Sequence, residues 1–149
     1  MNRPARRSRN SGIAAAFALG ADAVQIGTAY LRTPEATISP MHRAALASAR
    51  DDATRLTNVF TGRPARGLVN RFVAEVGPMC QDAPPFPSAA GAAAPLRTAA
   101  EQLGSSDFSP LWAGEAAALA RDEGAEALTR RLWAEGQAVM AALSGRGAG

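Results

Sequence analysis

The sequence contains no lysine, and all 16 of its basic side chains are arginines. Arginine does not deprotonate in proteins, so the basic character rests on a net excess of only +3. That is too little for a nucleic-acid surface, and substitution of arginine for lysine beside so much alanine and glycine reads as genome composition. The single cysteine, Cys80, excludes an intrachain disulfide and a thiolate metal cluster, which fits a reducing, cytoplasmic setting. No His or basic side chain neighbours it in "GPMCQDAPP", so Cys80 reads as structural. Aromatics make up 5% of the chain, which leaves the core to small side chains. No apolar run approaches the roughly 20 residues of a membrane-spanning helix. At 149 residues the chain suits one ordinary domain and falls short of a whole (β/α)8 barrel of about 250 residues.

What is present is the composition of a folded protein, 47% hydrophobic and 19% charged. Residues 1–10 carry Arg3, Arg6, Arg7 and Arg9 without an acidic neighbour and are expected to form a disordered tail. With "GIAAAFALG" behind them they imitate an export signal, although the apolar stretch is short and dominated by alanine. Asn10 or Ser11 can cap a helix running to about Leu19, with Gly20 as its left-handed terminator. Ala23–Ile26 then reads as a short buried strand, so that helix, glycine turn and strand form half of a βαβ unit.

Downstream, "TPEA" looks like a helix entry with Thr33 as cap, Pro34 at the first position and Glu35 in the first turn. "SPMHRAALASAR" repeats that grammar with Ser39 and Pro40. Residues 54–60 have β character and lead into the turn "TGRPARG", followed by a short helix from Asn70 to Val76. The prolines between 77 and 87 indicate an extended linker, and residues 88–149 a helical extension. Its expected helices cover Ala92–Leu103, with Pro95 in the first turn, a stretch opened by Ser109-Pro110, and Ala125–Ser144. The last carries Leu128, Leu132, Val139 and Leu143 on one core-facing stripe.

Chemistry concentrates where the strand ends. A parallel strand that stops at Gly27-Thr28 and turns at once into a helix points several backbone N–H groups into one space. Gly27 would let a ligand approach the backbone, and the Thr28 hydroxyl could donate to a phosphate oxygen. Taken alone, the same pattern also describes a tight turn with no ligand.

Three segments in order, "GIAAAFALGADAVQIGTAYLRTPEA", "TGRPARGLVNRF" and "SPLWAGEAAALAR", resemble the C-terminal part of the nitronate monooxygenase family. The likeness runs from about Ser11 to Arg121 and implies a fold and an activity. The fold would be α/β, a C-terminal fragment of a TIM (β/α)8 barrel, namely its last helix–strand unit and the segment that follows it (11–76), with a mostly helical C-terminal extension. The activity would be FMN-dependent oxidation of alkyl nitronates with O2. By the same resemblance, Gln25, Gly27 and Thr28 bind the FMN phosphate, and the arginines of Gly62–Gly67 hold the extension against the barrel. Trp112 and Gly114 match the family, whereas Glu115 stands where the family usually has Gln.

The family's paired glycines ahead of the "GIAAA" helix, and the Gly-Gly-His segment that supplies its active-site histidine, have no counterpart here. His42 is in the wrong segment and reads as a surface or packing residue, so no catalytic residue is assigned. The resemblance therefore implies an incomplete FMN site and a chain that is inactive by itself unless a complementary N-terminal polypeptide completes it. No nucleic-acid or membrane partner is expected. Two alternatives stand beside this: a non-enzymatic helical remnant or interaction module, and a fragment of a related FMN-barrel reductase such as an enoyl reductase. An upstream reading frame encoding the Gly-Gly-His segment would favour the flavoenzyme over the remnant.

Overall fold

The structure, a computed structural model, describes the backbone of residues 9–146 and the side chains of residues 12–145. Most of the Arg-rich tail expected at 1–10 lies outside the described residues, but Arg9 and Asn10 already belong to α1, Arg9–Ala18, so the helix begins ahead of Asn10 and Ser11, the caps expected for it. The chain continues through a 3₁₀ turn, Tyr30–Arg32, to α2, Pro40–Ala47. Next come strands β1, Thr54–Thr57, and β2, Ala65–Leu68, and helices α3, Arg71–Val76, and α4, Ala89–Gln102. A 3₁₀ turn at Ala117–Leu119 then precedes α5, Ala125–Arg146. No described helix is long and apolar enough to cross a membrane.

Local signals set several of these boundaries. Gly20 ends α1 at a φ of 91°, the left-handed conformation expected of it. Ser39 caps α2 by accepting from the His42 N–H at 3.1 Å, with Pro40 in the first turn. Asn70 caps α3 through the Val73 N–H, and its amide also donates to the Ser106 and Ser109 carbonyls, each at 2.9 Å. The "TGRP" turn closes a hairpin in which Thr54 faces Leu68 and Thr57 faces Ala65.

Among the described residues three apolar clusters replace one large core, in keeping with few aromatics and many alanines. In the first, Ile13 of α1 and Leu128 and Leu132 of α5 enclose Ala29, with Phe17, Ile26 and Tyr30 packed around them. The second gathers Leu46, Leu68, Leu111, Ala113 and Ala117. The third joins Val59, Phe60 and Val73, where the Phe60 ring meets Phe72 and Trp112 edge-on at 5.5 and 5.7 Å.

Five expectations are corrected. Ala23–Ile26 is not a strand: the segment is extended, Val24 is 37% exposed, and its backbone bonds to no described residue. A strand exists only as part of a ladder, and no described segment offers this one a backbone hydrogen bond. Thr33-Pro34-Glu35 opens no helix, because the Arg43 guanidinium takes the Thr33 and Ala36 carbonyls, each at 2.9 Å. Glu35 instead accepts the Ala125 N–H at 3.0 Å and so caps the start of α5. Ser109-Pro110 opens no helix either, since Trp112 pairs with Gly67 of β2 and makes Leu111–Ala113 a third, strand-like rung. Pro95 lies inside α4 and not in its first turn, on a face where water can reach the unpaired carbonyl. The α5 stripe is core only in its first half, because the shorter α1 covers Leu128 and Leu132 while Leu143 is 52% exposed.

The stretch 77–87 carries no helix or strand, yet it is bound to the hairpin. The Asn58 side chain spans the Cys80 backbone, donating to its carbonyl at 2.8 Å and accepting its N–H at 2.9 Å. Arg63 sits over the Phe86 ring, 4.5 Å from its centre.

Candidate functional site

Where α1 and the extended segment meet the strand-like rung, they leave an open cleft of about 320 Å3. Gly12 and Ile13 from α1 form one wall, Val24, Gln25, Ile26, Thr28 and Ala29 the next, and Gly114 and Ala116 the third. Among the described residues that line it, none is charged. Gln25 and Thr28 therefore face one space with the backbone of Gly12 and Gly114. Gly27 adjoins this wall, and a Cβ built on it would meet nothing within 4 Å. The Gly27 carbonyl accepts from the Tyr30 N–H at 2.9 Å, which turns the chain sharply into the 3₁₀ turn.

The Thr28 hydroxyl is the polar centre. It accepts the Gly114 N–H at 2.8 Å, joining the "QIGT" segment to "LWAG" across 86 positions of sequence. A hydroxyl that accepts from an amide keeps its own hydrogen to donate elsewhere. Small residues, exposed backbone and one oriented hydroxyl fit a phosphate monoester or the phosphate end of a larger group. No described residue lining the cleft is an aromatic surface that would enclose a flat ring system. No described group of His, Cys, Asp or Glu is arranged to hold a metal ion.

Glu115, the departure from the family pattern, is exposed at the cleft rim, 4.0 Å from the Arg66 guanidinium. Arg66 also donates to the Thr54 hydroxyl at 3.2 Å, so it links the hairpin to the rung. His42 lies apart from the cleft on α2, half-buried, with Nε2 3.1 Å from the Trp112 carbonyl. Burial holds its imidazole pKa below the usual value, and the carbonyl offsets this in part.

Sequence reasoning missed the clamp that fixes the loop after Thr28. Tyr30 OH bonds Thr129 at 2.8 Å, and Arg32 pairs with Asp122 while donating to the Ala120 carbonyl at 3.1 Å. No local spacing announces contacts that span some 90 residues. A second open cleft is lined by Arg32, Pro34, Arg43, Asp122, Glu123 and Gly124, and its two arginines are already engaged in these bonds and those of Arg43.

A profile of the nitronate monooxygenase family matches residues 8–135. The chain is 44% identical over 122 residues to a nitronate monooxygenase of Pseudomonas aeruginosa, covering 81% of this chain and 35% of that protein. It is 31% identical over 129 residues to a probable nitronate monooxygenase of Staphylococcus saprophyticus, covering 87% of this chain and 36% of that protein. The chain thus spans about a third of the length of these relatives. Among solved structures, a nitroalkane oxidase from Streptomyces ansochromogenes superposes with a TM-score of 0.78 at 41% identity, over 90% of this chain and 38% of that one. FabK from Thermotoga maritima gives a TM-score of 0.69 at 24% identity, over 92% of this chain and 44% of that one, a likeness of fold alone. These structural neighbours are TIM-barrel proteins, and the chain itself is α/β with a two-stranded sheet.

Proposed function

Because the chain belongs to the nitronate monooxygenase family, whose members are generally flavin-dependent, we propose that it is the C-terminal part of an FMN-dependent oxidoreductase acting on alkyl nitronates with O2. The observation that carries this reading is the contact between the Thr28 hydroxyl and the Gly114 amide at the head of the cleft. Two of the segments that resemble the family meet there, one of them the segment likened to its FMN-phosphate loop, and the cleft's neutral donors suit a phosphate.

Gln25, Gly27 and Thr28 are the residues that hold the FMN phosphate. Gly27 leaves room at the backbone, the Thr28 hydroxyl donates its free hydrogen, and Gln25 adds an amide at the wall. Bound FMN supplies the electron transfer between nitronate and O2. In the completed barrel the extended segment 23–26 becomes the last strand, and its unpaired backbone is the edge on which neighbouring barrel strands pair. The 149 residues by themselves neither retain FMN nor oxidise nitronates, since the cleft lacks a wall for the ring and a group to take the substrate proton. A polypeptide carrying the rest of the barrel completes the site.

The test is spectroscopic. The purified chain should show no flavin absorbance after incubation with FMN and gel filtration. Mixed with a polypeptide that supplies the upstream barrel strands, it should retain FMN and gain nitronate-dependent O2 consumption. Stoichiometric FMN on the chain alone, or no flavin in the reconstituted pair, would overturn the proposal.

A further inference from the structure

The rung Leu111–Ala113, with Gly114 following it, has two edges, and they are closed differently. On the inner edge Leu68 N–H donates to the Leu111 carbonyl at 2.8 Å, and Ala113 N–H donates to the Arg66 carbonyl at 3.2 Å. Alternation along an extended chain turns the polar groups of Trp112 and Gly114 to the outer edge. There no described strand follows. The His42 Nε2 meets the Trp112 carbonyl at 3.1 Å, and the Thr28 hydroxyl takes the Gly114 N–H at 2.8 Å. Two side chains thus occupy the positions where a neighbouring strand would bond.

A carbonyl oxygen brings no proton, so this contact is a hydrogen bond only when His42 carries its proton on Nε2. Both nitrogens are protonated in the cation. Burial favours the neutral ring, and in that form the Nε2–H tautomer is required. The rung is also anchored by the Trp112 ring, which packs on Phe60 at 5.7 Å. With Trp112 held at both its ring and its carbonyl, Gly114 two residues on has little freedom to leave Thr28.

We propose that His42 is a positioning residue for the cleft: through the Trp112 carbonyl it fixes the outer edge of the rung, seats the Gly114 amide on Thr28, and so sets the direction in which the Thr28 hydroxyl donates. The consequence for a phosphate rests on the functional reading given above, whereas the coupling from His42 to Gly114 stands without it. His42 touches no ligand in this scheme and is assigned no proton transfer.

The experiment uses the full chain without flavin. In ¹⁵N-labelled protein at neutral pH, the imidazole of His42 should show a protonated Nε2 and a bare Nδ1. Replacing His42→Leu should accelerate hydrogen exchange at the Gly114 amide by about tenfold relative to the Leu128 amide, the size expected for losing one net hydrogen bond. His42→Gln, whose side-chain N–H can reach the place of Nε2, should restore the slow exchange. A packing role alone would leave His42→Gln as fast as His42→Leu, and that result overturns the proposal. So does a bare Nε2 in the native protein, or Gly114 exchange unchanged in His42→Leu. Should His42→Leu fail to fold, the tautomer and the exchange of His42→Gln decide the matter. None of these readouts involves FMN, so a failed reconstitution would count against the functional reading and not against this coupling.

Discussion

Gly136, buried in the middle of α5, faces Ile13 of α1, and adding one methyl group there sets two effects of similar size against each other. Alanine favours a helix interior over glycine by about 1 kcal/mol. The new Cβ would stand 3.0 Å from Ile13 Cγ2 and 3.6 Å from Ile13 Cβ, against a comfortable carbon–carbon separation of roughly 3.5–4.0 Å. Relief requires Ile13 to retreat by about 0.5 Å. Ile13 is only 6% exposed, and a β-branched side chain on a helix has one strongly preferred rotamer. Overpacking of this kind costs about 1–3 kcal/mol, so Gly136→Ala should lose about 1 kcal/mol net. Gly91 in α4 is the control, since a Cβ there meets nothing within 4 Å. Gly91→Ala should gain about 0.5–1 kcal/mol. Urea unfolding followed by circular dichroism should move the two midpoints in opposite directions, and the melting temperatures should part by several degrees. In an Ile13→Ala background, where the obstruction is gone, Gly136→Ala should become stabilising. Equal stabilisation by the two single variants would refute the close packing of α1 on α5, and with it the placement of Gly12 and Ile13 at the cleft wall.

Gly62→Ala should destabilise by about 3 kcal/mol or more: the residue sits at a φ of 83°, and a Cβ would come within 2.4 Å of the Pro84 carbonyl oxygen. Thermal melting checks this. Asn58→Ala removes both bonds to the Cys80 backbone and should cost about 1–3 kcal/mol. Reaction of Cys80 with a thiol reagent should quicken in the same variant, and an unchanged rate would separate the 77–80 turn from the hairpin. Acid should weaken the fold in two steps. His42 has a folded pKa below its ordinary 6.5, chiefly through burial, so the unfolded chain binds the extra proton first. Its share of stability is present above pH 6.5 and is lost as the pH falls below that value. Glu35 and Glu101 lie below their ordinary 4.5, Glu35 first through its own backbone N–H and Glu101 first through Arg97, and their shares are lost below pH 4.5. Melting temperatures from about pH 2 to pH 8 should show both declines, with the upper one absent in His42→Gln.

Legibility divided according to how far apart the interacting residues are. Ser39-Pro40 and Asn70 announced their helices because cap and first turn are neighbours in sequence. The "TGRP" turn marked the hairpin for the same reason. The grouping of Gln25, Gly27 and Thr28 came from a resemblance, and the cleft wall formed by Gln25, Thr28 and Gly114 appears only in the folded chain. Glu35 shows the limit most plainly. Its spacing from Thr33 and Pro34 is that of a helix entry, yet its carboxylate serves a helix that begins 90 residues later.

The sequence by itself determined the Ser39 and Asn70 caps and the Gly20 stop, since each depends on backbone sterics within a few residues. Only the tertiary structure decided what Ala23–Ile26 and Leu111–Ala113 would be. Both are short apolar segments able to extend, and an extended segment becomes a strand only where another backbone offers its hydrogen bonds. β2 makes that offer to Leu111–Ala113, and no described residue makes it to Ala23–Ile26. The same contact that made a rung of Leu111–Ala113 carried Gly114 to Thr28, and so turned a strand-end pattern into one side of a cleft.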